Sequence, residues 1–166
     1  MNDVLIRIIA DGLVIPIILI GAYVLIAKVP RGHRIESYSR ILMAGLTAYL
    51  IAKLAGTLVT SDIRPFQELG INAGALYLNN GGFPSDHALF VTVITAAVWF
   101  ETKMYKTAAL LTVLTILVCV GRVLAHVHWV ADVVFGVIIA LVGALWYLTT
   151  YQSARTDRKK LDRRAV

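Results

Sequence analysis

Apolar residues come in long, nearly unbroken blocks along this chain. Five stand out: residues 12–27, with no charge; 41–61, interrupted only by Lys53; 84–100, with Asp86 and His87 at its front; 107–121; and 129–154, with Asp132 near its start. Each block is apolar around its whole circumference, as helices surrounded by lipid are. They predict an all-α, polytopic membrane helix bundle of about five transmembrane helices, built as a single domain over residues 1–166. A spanning helix takes about 20 residues, so several blocks must borrow turns from their flanks. Ahead of the first block, Val4, Leu5, Ile8 and Ile9 share one helical face, with Asp3, Arg7 and Asp11 on the other. That segment fits a short interfacial helix and fits equally well an extension of the first span. It lacks a basic start and a small-residue cleavage site, so a cleaved signal peptide is not expected.

Composition narrows the class further. The chain is 58% hydrophobic and 16% charged, with a mean hydropathy of +0.76. Ordinary soluble domains are about 45–50% apolar and about 25% charged, so disorder and most soluble enzymes are excluded. The net charge of +6 points to cytoplasmic loops and not to a nucleic-acid partner. Cys119 is the single cysteine, so there is no disulfide framework.

The basic residues predict an orientation. Lys28, Arg31, Arg34 and Arg40 follow the first block, Lys103 and Lys106 follow the third, and Arg155, Arg158, Lys159, Lys160, Arg163 and Arg164 fill the tail. With five spans these segments share one side, which the positive-inside rule makes cytoplasmic. The chain is then expected to be a multi-pass protein of the plasma membrane, with the N-terminus and the 62–83 and 122–128 loops outside. Trp129 would sit in the outer interface, and Trp99, Trp146 and Tyr147 in the inner one.

Four cations remain: Arg7, Lys53, Arg64 and Arg122. Arg64 and Arg122 fall at the outer ends of the second and fourth spans, as do His87, His126, His128, Asp86 and Asp132 for their own segments. Polar groups at this depth are costly and mark function by default. Arginine forks match phosphate oxygens, and histidine can attack phosphorus or give a proton near neutral pH. His128 and Asp132 are four apart, which on a helix lets the carboxylate hold one ring nitrogen and aim the other. Gly81-Gly82-Phe83-Pro84-Ser85 leads into the third span, with Pro84 suited to the first helical position and the helix start suited to an anion. Each piece has a plainer reading. Ser85 and Asp86 could be caps, Arg64 an interfacial anchor, the His–Asp pair a local brace, and His126 a structural residue. The histidines lack the carboxylate or cysteine spacing of a metal site.

Taken together the residues resemble a family, the type 2 phosphatidic acid phosphatase superfamily of membrane lipid phosphatases. Its pattern is Lys, six residues, Arg-Pro; then Pro-Ser-Gly-His; then Ser-Arg, five residues, His, three residues, Asp. The chain has Arg64-Pro65, Pro84-Ser85-Asp86-His87, and Gly121-Arg122 followed by His128 and Asp132 at that spacing. It departs at three places: Thr57 for the Lys, Asp86 for the Gly and Gly121 for the Ser. Asp86 followed by Ala88 is similar to the bacterial undecaprenyl-diphosphate phosphatase branch. Lys53, one turn before Thr57, could restore the missing charge.

The resemblance implies a two-step phosphate ester hydrolysis without metal or cofactor. His128 would be the nucleophile, Asp132 its orienting partner and His87 the acid for the leaving oxygen. Arg64, Arg122, Ser85 and the N–H groups around Gly82 would hold the phosphate, with Lys53 and Asp86 as further candidates. The substrate expected is a polyprenyl diphosphate in the bilayer. Phosphatidate, phosphatidylglycerol phosphate, lipid phosphotransfer and a non-catalytic anion binder or transporter are the alternatives. Nothing in the pattern fixes an oligomeric state.

Topology can be tested with single cysteines at Asn79 and Ser153, probed on intact cells with an impermeant thiol reagent. Labelling at position 79 alone is expected; labelling at position 153 alone reverses the orientation.

Overall fold

The computed structural model describes residues 3–59, 63–78 and 81–148. Every regular element among them is helical. Helix α1 (Asp3–Arg7) runs through a π turn (Ile8–Gly12) into α2 (Val14–Lys28). A short 3₁₀ turn then leads to α3 (Arg34–Leu58). The one-turn α4 (Pro65–Glu68) precedes the long α5 (Asp86–Glu101), α6 (Tyr105–Leu124) and α7 (Val130–Gly143), the last extended by a 3₁₀ segment (Ala144–Leu148).

Among the described residues four stretches are long and apolar enough to cross a membrane: Asp3–Lys28, Arg31–Leu58, Tyr105–Leu124 and Val130–Leu148. The N-terminal segment is therefore continuous with the first span. The third block behaves differently from the other four. Helix α5 has 16 residues, about 24 Å at 1.5 Å per residue, against a hydrocarbon core of about 30 Å. The non-helical segment 81–85 leads into the helix, with Gly82, Pro84 and Ser85 buried against the bundle. The end of the fifth block beyond Leu148, the basic tail, Ser61, Asn79 and Ser153 lie outside the described residues.

Helix α5 is the hub of the bundle and packs against α2, α3, α6 and α7. Its buried residues, among them Ala88, Val91, Thr92, Thr95, Ala97 and Val98, surround it on all sides. Thr95 Oγ1 and Thr115 Oγ1 share a 2.9 Å hydrogen bond between α5 and α6. Helix α3 shows how small residues let spans approach where hydrocarbon supplies no driving force between them. Ala44, Ala48 and Ala52 form its buried stripe at four-residue spacing, while Leu42, Leu46, Leu50 and Leu54 face outward. Gly143 of α7 meets that stripe so closely that a Cβ would collide with the Ala44 carbonyl.

The two ends of the bundle differ. At one end Glu101 takes a paired contact from Arg40, at 2.7 Å from Nε and 2.8 Å from Nη2, tying α5 to α3. Lys28, Arg31, Arg34, Lys103 and Lys106 belong to the same end. The start of α5, the end of α6 and the start of α7 meet at the other end, and the sequence candidates for phosphate chemistry are gathered there.

Candidate active site

The segment that introduces α5 sets the site. Phe83–Pro84 is a cis peptide, and Gly82 has φ of +76°. A Cβ on Gly82 would lie 3.2 Å from Arg64 Cζ, so glycine serves both the left-handed backbone and the approach of the guanidinium. Pro84 precedes the helix and does not open it. Ser85 is the N-cap, with extended backbone, its Oγ accepting from Ala88 N at 3.5 Å. The backbone of Ser85 is fixed as well, since its N–H donates to Asp132 O at 2.9 Å. The capping role that residue type suggests is therefore filled, and Ser85 is fully buried.

Arg64 reaches the same place from the loop before α4. It donates to Val127 O at 2.7 Å and to Leu78 O at 2.9 Å, and its own backbone N–H is taken by Gln67 Oε1 at 2.9 Å. Burial lowers the pKa of its guanidinium, with Asp132 as the leading opposing influence. Arg122, in the last turn of α6, is 1% exposed. Its Nη1 lies 2.6 Å from Asp11 Oδ1, and its buried Nε has no hydrogen-bond partner.

His128 is also buried, and its Nδ1 lies 3.4 Å from Asp132 Oδ2. The geometry differs from the expected pair on one helix face. His128 precedes α7, whose N-cap Trp129 is extended. Asp132 is the third residue of that helix, and its Oδ2 accepts the Trp129 N–H at 2.8 Å. One carboxylate oxygen thus caps the helix and faces the imidazole. Nδ1 makes no hydrogen bond in this arrangement, so Asp132 acts on it by charge and proximity. Burial is the largest influence on His128 and draws its pKa below the ordinary 6.5, which leaves a neutral ring near pH 7.

Arg64, Gly82, Asp86, His87, Arg122 and His128 line one small cleft of about 50 Å³. Among the described residues no group of three or more His, Cys, Asp or Glu is placed to hold a metal ion. Lys53 lies off this cleft, on a neighbouring cavity that shares Gly82, Pro84 and Asp86. Its Nζ is 3.3 Å from Asp86 Oδ1. Thr57, at the family lysine position, donates to Leu54 O of its own helix at 2.7 Å. His126 stands in the left-handed region at φ of +56°, and its carbonyl accepts the Phe66 N–H at 2.9 Å. That is a turn role which holds the Arg64 loop against the α6–α7 connection. Asp11 was not legible as a site residue, because the helical wheel groups it with Asp3 and Arg7 on a polar face.

No curated protein and no solved structure matches the chain. A protein-family model does, the PAP2 superfamily, over residues 38–156. The matched stretch takes in Arg64, Ser85, His87, Arg122, His128 and Asp132, and covers most of the chain. This family generally hydrolyses phosphoric esters, and its chemistry is of the phosphatase and phosphotransferase type. With apolar spanning helices and a cleft of arginines and histidines at one bundle end, the chain belongs to the PAP2 superfamily.

Proposed function

We propose that the protein is a membrane-embedded lipid phosphate phosphatase that works through a phosphohistidine, with a polyprenyl diphosphate as its substrate. The observation that carries this reading is the meeting of His128, His87, Arg64 and Arg122 in one cleft, with His128 buried beside Asp132. His128 attacks phosphorus; the N–P bond forms as the bond to the leaving oxygen breaks. His87 gives that oxygen a proton, so a neutral or singly protonated product departs. Asp132 stabilises the ring as it becomes positive. Water then attacks phosphorus, giving a proton to the now neutral His87, and the N–P bond breaks, which yields inorganic phosphate and restores both histidines. Arg64, Arg122 and the backbone near Gly82 meet the equatorial oxygens, where charge redistributes. No step calls for a metal.

A lipid substrate is favoured by a second feature. An apolar groove of about 550 Å³ runs between α5, α6 and α7, lined by residues that include Thr92, Trp99, Ile116, Val120, Val133 and Leu141. These three helices also carry His87, Arg122 and Asp132. Val133 adjoins Asp132, and Val120 is two residues from Arg122. A hydrocarbon chain seated there would leave its phosphate at the cleft. The positive-inside pattern puts that cleft on the extracytoplasmic side and the C-terminus in the cytoplasm.

The departures at Thr57 and Asp86 offset each other on this reading. A carboxylate beside an anionic substrate is unfavourable, and Lys53 neutralises the one that replaces the family glycine. Lys53 then acts on the substrate through Asp86, and Asp86 does not itself bind phosphate.

Two sets of variants test these assignments. Phosphate release in detergent with EDTA, over a panel of lipid phosphates, is expected to be highest with a polyprenyl diphosphate. His128→Ala should abolish it, and Asp132→Asn should lower it strongly with the fold retained. Because burial keeps His128 neutral below its ordinary range, the acid limb of kcat/KM should fall below pH 6.5. Near-normal release by His128→Ala would overturn the mechanism. In the second set, Lys53→Met should lower kcat/KM tenfold or more, about 1.4 kcal/mol, and adding Asp86→Gly should recover most of the loss. A fully active Lys53→Met would leave Lys53 a packing residue.

A further inference from the structure

The N-terminal helix enters the cleft at a place where its own geometry changes. Asp11 sits on the π turn Ile8–Gly12, a wider turn than the α-helix and one often found at functional sites. Its side chain is 15% exposed and points into the bundle. Oδ1 lies 2.6 Å from Arg122 Nη1 and 4.0 Å from His87 Nε2. Oδ2 accepts the Leu76 N–H at 2.8 Å. Leu76 is two residues from Leu78, whose carbonyl takes Arg64 Nη2. One carboxylate therefore joins the N-terminal helix, α6 and the loop that holds the second arginine.

Gly121 makes this approach geometrically available. A Cβ there would lie 2.8 Å from Ala10 N and 2.9 Å from Ala10 Cα, both backbone atoms of the π turn. The family pattern has serine at this position. A serine Cβ would force the turn outward and carry Asp11 with it, so the glycine and the intruding aspartate belong together.

We propose that Asp11 is a positioning residue of the phosphatase site, one that fixes the Arg122 guanidinium and favours the protonated, proton-giving form of His87. The inference rests on the phosphatase reading above. A guanidinium buried as fully as Arg122 needs a partner, and a partner on a rigid turn holds it where the phosphate oxygens arrive. The charge balance around His87 gives the second part. Facing it are Asp11 from the N-terminal helix, Arg122 from α6, His128 from the α6–α7 connection and Asp86 from its own helix, with Arg64 on the same cleft. Asp86 is paired with Lys53. Asp11 is therefore a carboxylate that offsets Arg122 beside His87, and without it a protonated ring would face that cation with less opposing charge.

The full-length protein in detergent provides the test, with kcat and KM measured against pH. Asp11→Asn is expected to lower kcat tenfold or more with KM changed less than threefold. The alkaline limb of kcat should move to lower pH, because His87 loses its proton sooner. Asp11→Glu should keep the limb near its original place. Gly121→Ser, which leaves the carboxylate in the chain but displaces the turn, should shift the limb as Asp11→Asn does. A wild-type alkaline limb in Asp11→Asn, whatever its thermal stability, would show Asp11 to be a structural brace and overturn the proposal. Wild-type protein that releases no phosphate from any lipid phosphate would sink the phosphatase reading and this inference together.

Discussion

Arg122 is a full positive charge buried at the end of an apolar helix bundle, and much of the surrounding structure answers to that. Leaving such a charge unpaired costs several kcal/mol even after relaxation. The chain meets the cost with Asp11, delivered on a π turn against Gly121. Arg64 meets the same problem with the carbonyls of Leu78 and Val127. Both guanidiniums are held before any ligand arrives. A cleft lined by two pre-placed guanidiniums and two imidazoles suits a group with several anionic oxygens, and phosphate has that character.

The same constraint explains why α5 stops short. Its N-terminus must meet Arg64, Arg122 and His128 in the cleft, so the chain arrives through Gly82, Pro84 and the Ser85 cap instead of another helical turn. The positive end of the helix dipole then faces the same space. Small residues on α3, α5 and α7 allow the close packing that holds these helix ends in register.

Much of the fold was legible because lipid-facing helices must be apolar all round and about 20 residues long. Four blocks reached that length once their flanks were added; α5 stayed short, and its shortfall depends on tertiary contacts that no hydropathy window contains. Pro84 looked like a first helical residue, yet Ser85 caps the helix one position later. His128 and Asp132 were visible by spacing, although the extended Trp129 between them changes how they meet. Asp11 was visible as a residue and hidden as a partner, because an ideal α-helix places it among polar neighbours and the π turn brings it inward. Lys53 and Asp86 were separate oddities in the sequence, 33 positions apart, and only the packing of α3 on α5 makes them a pair.

The proposed mechanism is covalent: phosphorus would pass through a nitrogen of His128. Rapid quenching of the wild-type protein with a lipid substrate labelled in its terminal phosphate, followed by peptide mapping, tests it directly. The label is expected on the peptide containing His128, stable to alkali and released by acid, and absent from His128→Ala. Turnover with no protein-bound label at any quench time, or label on another residue, would contradict the account.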